Sequence, residues 1–235
     1  MFTRTHLGFA AASLFAATSA FAVPEVIFDN TATAPDVNLG AVNGTVFADD
    51  VTFGGTARTV TSLDISVAFV DTDDFANMVA DVTAFLYAVG PGNLPGAVLW
   101  TSTKLGEVFD VNTINGDVSR LVNFTGVNVT VPNSIFWGVR FDNIQNVSPL
   151  DFFGVRLGSA TSTPAGSSNF LGTGPADGGI WVSTVGGPFV ANDITSRPDA
   201  LASIITADTL VPEPTTASLF GVAALVLRLR RRKQA

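Results

Sequence analysis

Between Val23 and Pro214, apolar and polar residues alternate in short runs separated by glycine, proline, asparagine and aspartate, and no run has a helical period. Leu63, Ile65, Val67 and Phe69 alternate with Asp64, Ser66 and Ala68, which predicts a strand with one buried face. Ile135, Trp137, Val139 and Phe141 repeat the pattern after Pro132-Asn133 and make Trp137 a core anchor. Val82–Tyr87 is apolar on both faces apart from Thr83, as expected of a central strand. Shorter strands are expected at Val26–Phe28, Asp50–Phe53, Val98–Thr101, Glu107–Val111, Arg120–Phe124, Val127–Val131, Phe152–Leu157 and Ile180–Val182, with Thr125-Gly126 as a tight link. The segment Gly90-Pro91-Gly92-Asn93-Leu94-Pro95-Gly96 marks a long turn, residues 158–179 form a Ser-, Thr- and Gly-rich loop, and Ile204-Ile205 is a candidate last strand. The set predicts an all-β domain over residues 23–210, an antiparallel β-sandwich of jelly-roll-like form.

Both ends break this pattern. Residues 1–22 place Arg4 and His6 before an apolar run from Leu7 to Ala17, followed by Ala20-Phe21-Ala22. That order predicts a signal peptide cleaved after Ala22, so that the exported chain starts at Val23. At the other end, Pro212-Glu213-Pro214 precedes 13 uncharged residues, Thr215 to Leu227, and then Arg228, Arg230, Arg231, Arg232 and Lys233. As a helix, those 13 residues would span about 20 Å, against about 30 Å of bilayer hydrocarbon. Including Leu229, with the arginine stems snorkelling, extends the hydrophobic helix to residues 215–229. The basic cluster would stay on the cytoplasmic side and the chain upstream of Val211 would lie outside.

This tripartite ending, residues 211–235, resembles the PEP-CTERM sorting signal of Gram-negative bacteria. The resemblance implies that an exosortase processes the precursor at the inner membrane and delivers the domain to the cell surface or an extracellular matrix. The middle of the chain also resembles β-sandwich domains recurrent in exported PEP-CTERM proteins. That likeness rests on VIFDNTA near its start, RTVTSLDISV in an early strand, the GPGNLPGAVLW turn and strand, and the late DGGIWV.

Setting the ends aside changes the charge balance. Of 12 basic residues, only Arg58, Lys104, Arg120, Arg140, Arg156 and Arg197 lie between Val23 and Pro214, together with all 20 acidic residues, a net of −14. Such a surface repels nucleic acid and favours solubility or divalent cations. The one histidine, His6, falls in the signal segment and there is no cysteine, so the domain depends on core packing rather than disulfides. Without imidazole or thiol, the nucleophilic triads and the usual zinc sites have no ligands or bases to use.

Three chemistries remain open. Asp71, Asp73 and Asp74 share one loop and could offer hard oxygens to calcium, although the spacing is not that of an EF-hand. Trp100, Trp181 and Tyr87 are candidates for stacking on sugar rings, which would make the domain a secreted carbohydrate-binding module with extracellular polysaccharide as partner. Paired aspartates could serve a secreted hydrolase. Most carboxylates, however, among them Asp29, Asp49 and Asp142, neighbour turn signals where aspartate caps backbone. The expectation is a non-enzymatic exported protein without a cofactor, whose processing partners are signal peptidase, exosortase and, transiently, the inner membrane.

Overall fold

The computed structural model describes residues 21–31, 38–71, 77–110, 118–159, 161–162, 166–168, 179–184, 187–193 and 199–211. Residues 1–20 of the expected signal peptide and the whole of 212–235 lie outside this set. The chain divides into two units, Pro24–Thr209 and a second made of Met1–Val23 with Leu210–Ala235.

Every regular element among the described residues is a strand: β1 (Phe21–Asp29), β2 (Asn38–Gly40), β3 (Val46–Thr52), β4 (Thr59–Val70), β5 (Met78–Val89), β6 (Pro95–Phe109), β7 (Val118–Thr130), β8 (Ser134–Gln145), β9 (Phe152–Ser159), β10 (Thr161–Ser162), β11 (Gly166–Ser168), β12 (Gly179–Ser183), β13 (Val190–Asp193), β14 (Asp199–Leu201) and β15 (Ser203–Val211). They form two antiparallel sheets. In the first, β7 pairs with one edge of β4, while β15 and β9 share its other edge end to end, opposite Thr59–Ile65 and Val67–Val70. Beyond them lie β1 beside β15 and β2 beside β9, and β14 pairs with the far end of β9. The second sheet runs β10-β11-β3-β8-β5-β6, with β12 also on β3 and β13 on β12.

The alternation explains why these sheets pack face to face. Leu63, Ile65, Val67, Val122, Phe124, Val155 and Ile205 from the first sheet meet Phe47, Val51, Val82, Leu86, Ile135, Trp137 and Phe141 from the second in one buried cluster. Aromatic rings cross between the layers: Phe109 lies 5.5 Å from Phe69 and 5.0 Å from Phe153, which in turn lies 5.2 Å from Phe141. Edge-to-face contacts of this kind add to the burial of each ring.

Three expectations are corrected. Thr125-Gly126 does not end a strand: β7 runs straight through it, because Gly126 adopts φ 71° and Asn128 φ 49° where the ladder with β4 shifts register. The two extra residues are absorbed as a bulge instead of a turn. Val98–Thr101 and Glu107–Val111 likewise belong to one strand, β6, as far as Phe109, with Gly106 at φ 61° donating its N–H to Asp81 Oδ1 at 2.7 Å. The strand expected from Asp50 starts at Val46, and its first six residues are all buried.

Candidate functional site

Two places gather polar or aromatic side chains, and the first lies where β1 meets the last strands. Asn30, just past β1, is buried; its Nδ2 donates to Leu201 O at 3.1 Å and its Oδ1 accepts from Ser203 N at 2.8 Å. Its backbone N–H also donates to Ser203 O at 3.3 Å. The side-chain amide thus satisfies backbone groups at the break between β14 and β15, where the ladder has no strand to offer. Because the end of β1 bonds the start of β15 and the two strands are neighbours, they run in opposite directions, so Pro24 and Thr209 come to the same margin of the domain.

Asp49 is tied to the same junction. It lies in the middle of β3, 0% exposed, and points inward with Phe47 and Val51. Its Oδ2 accepts from Leu201 N at 2.8 Å. Burial pushes its carboxyl well above the usual carboxylate range, the charge of adjacent Asp50 adds to the rise, and the backbone donors at Leu201 and Asp50 oppose it. Turn-like neighbours suggested a backbone cap for Asp49, but the residue caps a strand 152 positions away. Asp29 does behave as expected, accepting from Thr31 N at 2.9 Å and Thr31 Oγ1 at 2.7 Å. Asp50 alternates to the opposite face of β3, so the adjacent carboxyls do not form a facing pair.

The second place is the outer face of β3, β8 and β5. Ala48, Tyr87, Phe136 and Trp181 form a separate buried cluster with Phe85, Val89 and Phe189 packed against it. Trp181 meets Phe136 edge-on at 5.1 Å, and Tyr87 stacks on Phe85 at 5.5 Å. Gly138 makes this possible, since a Cβ there would come 2.9 Å from Phe47 O and 3.2 Å from the Tyr87 ring. Burial pushes the Tyr87 hydroxyl up to about 12, against a lowering influence from Arg140. Arg140 sits 5.8 Å from the Phe85 centroid and donates from Nε to Asp142 Oδ2 at 2.6 Å.

The three candidates for sugar stacking do not share one exposed face. Trp181 and Tyr87 are 1% and 6% exposed and packed against neighbouring rings. Trp100 is half-buried against the inter-sheet core, edge-on to Phe124 at 6.2 Å. Tyr87 and Trp181 are brought together and Trp100 is not, so the three rings form no common platform.

Of the calcium candidates, Asp71 is fully buried at the end of β4, while Asp73 and Asp74 lie outside the described residues. Among the described residues, no group of three or more His, Cys, Asp or Glu side chains could hold a metal ion. Several other carboxylates are engaged in the ladders: Asp64 accepts from Asn123, Asp81 from Asn143, and Glu107 pairs with Arg120 at 2.9 Å. Ala22 and Val23 fall within β1; Ala20 and the sorting residues Pro212, Glu213, Pro214, Arg228, Arg230, Arg231 and Arg232 lie outside the described set.

No protein-family model matches the chain. No curated protein matches it. Solved structures with a similar trace include infectious bursal disease virus Gt strain, at 14% identity over 99% of this chain and 55% of that one, with a TM-score of 0.32. A mutant VP2 protein of the same virus, in derived T=1 particles, matches at 12% identity over 97% and 52%, with a TM-score of 0.33. The VP2 subviral particle matches at 13% identity over 97% and 55%, with a TM-score of 0.31. The chain spans about half the length of these structures.

Proposed function

We propose that this chain is an exported, non-enzymatic surface or extracellular-matrix protein, delivered by a PEP-CTERM-type sorting signal at its C-terminus. In this reading, residues 1–22 are a signal peptide, 23–210 the cargo domain and 211–235 a temporary inner-membrane anchor with a hydrophobic helix over 215–229. Signal peptidase releases Val23; exosortase acts near Pro212-Glu213-Pro214 and frees the domain.

The observation that carries the reading is the antiparallel neighbourhood of β1 and β15, which brings Pro24 and Thr209 to one margin of the compact unit. The buried contacts of Asn30 and Asp49 lie at the other end of these strands. Cleavage after Ala22 removes only the first two residues of β1, leaving Val23–Asp29 in the sheet. The acidic, cysteine-free middle segment suits a domain that acts outside the membrane as a packed body.

Replacing Pro212, Glu213 and Pro214 together by alanine in the native host tests the reading. The expected result is full-length protein accumulating in the inner membrane. An unchanged distribution between membrane and exterior would overturn it.

A further inference from the structure

The inward face of β3 holds a group of polar atoms that the strand ladders do not use. Asp49 spends Oδ2 on Leu201 N, and its Oδ1 has no hydrogen-bond partner in the protein. Trp137 is the direct cross-strand neighbour of Asp49, fully buried, and its indole Nε1–H is also without an acceptor. Ser203 follows Leu201 by two residues, so its side chain leaves the strand on the same side; it is 0% exposed and its Oγ has no partner. Its backbone N–H is already held by Asn30 Oδ1.

We propose that Asp49, Trp137 and Ser203 line a closed seat for one water molecule inside the sandwich, and that this water ties the last strands to β3. The donors and acceptors fit water. Trp137 Nε1–H donates to the water oxygen, and the two water hydrogens go to Asp49 Oδ1 and Ser203 Oγ. That makes three hydrogen bonds, the usual number for a buried water. The placement fits as well: Asp49 is held at Leu201, two residues from Ser203, and Trp137 is the direct neighbour of Asp49 across the β3–β8 pair. A cation is the wrong occupant, because the indole N–H presents its positive end to the seat. The arrangement works in either charge state of Asp49; when Oδ1 is protonated it donates to the water, which still donates to Ser203 Oγ.

The test uses the full chain in detergent micelles with 15N-labelled tryptophan. The proposal expects a cross-peak between water and the Trp137 indole hydrogen, assigned by its loss in Trp137→Phe. Ser203→Ala should abolish that cross-peak and lower the melting temperature by about 2–4 °C, the shift expected from losing roughly one hydrogen bond in a domain of this size. In the double variant the loss should be smaller than the sum of the two single losses, because both remove the same water. Absence of the cross-peak overturns the proposal. So does a Ser203→Ala protein that melts at the same or a higher temperature, the result expected if the serine oxygen is a dry, uncompensated polar atom. Should Trp137→Phe fail to fold, the indole signal and the Ser203→Ala melting shift decide the matter without it.

Discussion

Strands β3 and β6 belong to the same sheet and use their residues in opposite ways. β3 has seven residues, two of them adjacent aspartates, and buries all but the last. β6 has 15 residues and leaves Val98, Leu99, Leu105 and Val108 exposed, Leu105 by 77%. The difference comes from position. β3 lies between β8 on one edge and β11 and β12 on the other, with the inter-sheet core on one face and the Trp181 cluster on the other. β6 pairs with β5 alone among the described strands, and register shifts with Gly106 in the left-handed region make its ladder irregular. Such irregularities, with Lys104 on the strand, are features that discourage further strands from adding to an edge. Burial along this chain follows a strand's place in the sheet more closely than its composition.

The comparison can be broken most forcefully at Trp137, the partner of β3 in the core. Trp137→Ala should cost about 3–5 kcal/mol in urea unfolding, as a large buried aromatic is lost and a cavity left. A loss below about 1 kcal/mol would mean that the two sheets do not pack through this residue. Asn30→Ala should cost about 1–3 kcal/mol by leaving Leu201 O and Ser203 N buried without partners. A neutral result would show that β14 and β15 are held by other means.

Asp49 adds a pH signature. Its carboxyl lies above the ordinary value in the folded protein, so above about pH 4 the folded state keeps a proton that the unfolded chain releases. Stability from this group is therefore greatest at low pH and falls as pH rises through the window between the unfolded and folded values. Asp49→Asn should remove that slope from the stability profile measured between pH 4 and neutrality, about the range in which an ordinary aspartate is charged. An unchanged slope would show that Asp49 is not its source.

Smaller effects belong to the irregular and exposed strands. Gly126→Ala places a Cβ in a left-handed conformation with open space around it, and should cost about 1 kcal/mol through backbone strain alone. Leu105→Ser on β6 should shift stability by less than about 0.5 kcal/mol. A larger loss would mean that β6 is covered in the working protein and that the contrast with β3 is weaker than its exposure indicates.

The sandwich was legible where alternation acts locally. Leu63 to Phe69 and Ile135 to Phe141 show their inward faces directly in sequence. Strand continuity was harder to read, because a glycine that turns the chain and one that carries a bulge look alike until the partner strand is known; Gly106 and Gly126 are the second kind. Asp49 was illegible for a related reason, since its neighbours suggest a turn and its partner Leu201 is 152 residues distant. Whether Trp181 and Tyr87 face solvent or core is not legible locally, because nothing in their neighbours signals that a second hydrophobic cluster covers the outer face of β3 and β8. The expected address, by contrast, is written in consecutive residues, from Pro212 to Lys233, and needs no tertiary partner to be read.

Intact mass measurement of the protein recovered from outside the native host tests the export-and-sorting reading most directly. That reading predicts a species beginning at Val23 and lacking Arg228 to Ala235. Secreted molecules that all keep Met1, or all keep the arginine tail, would contradict it.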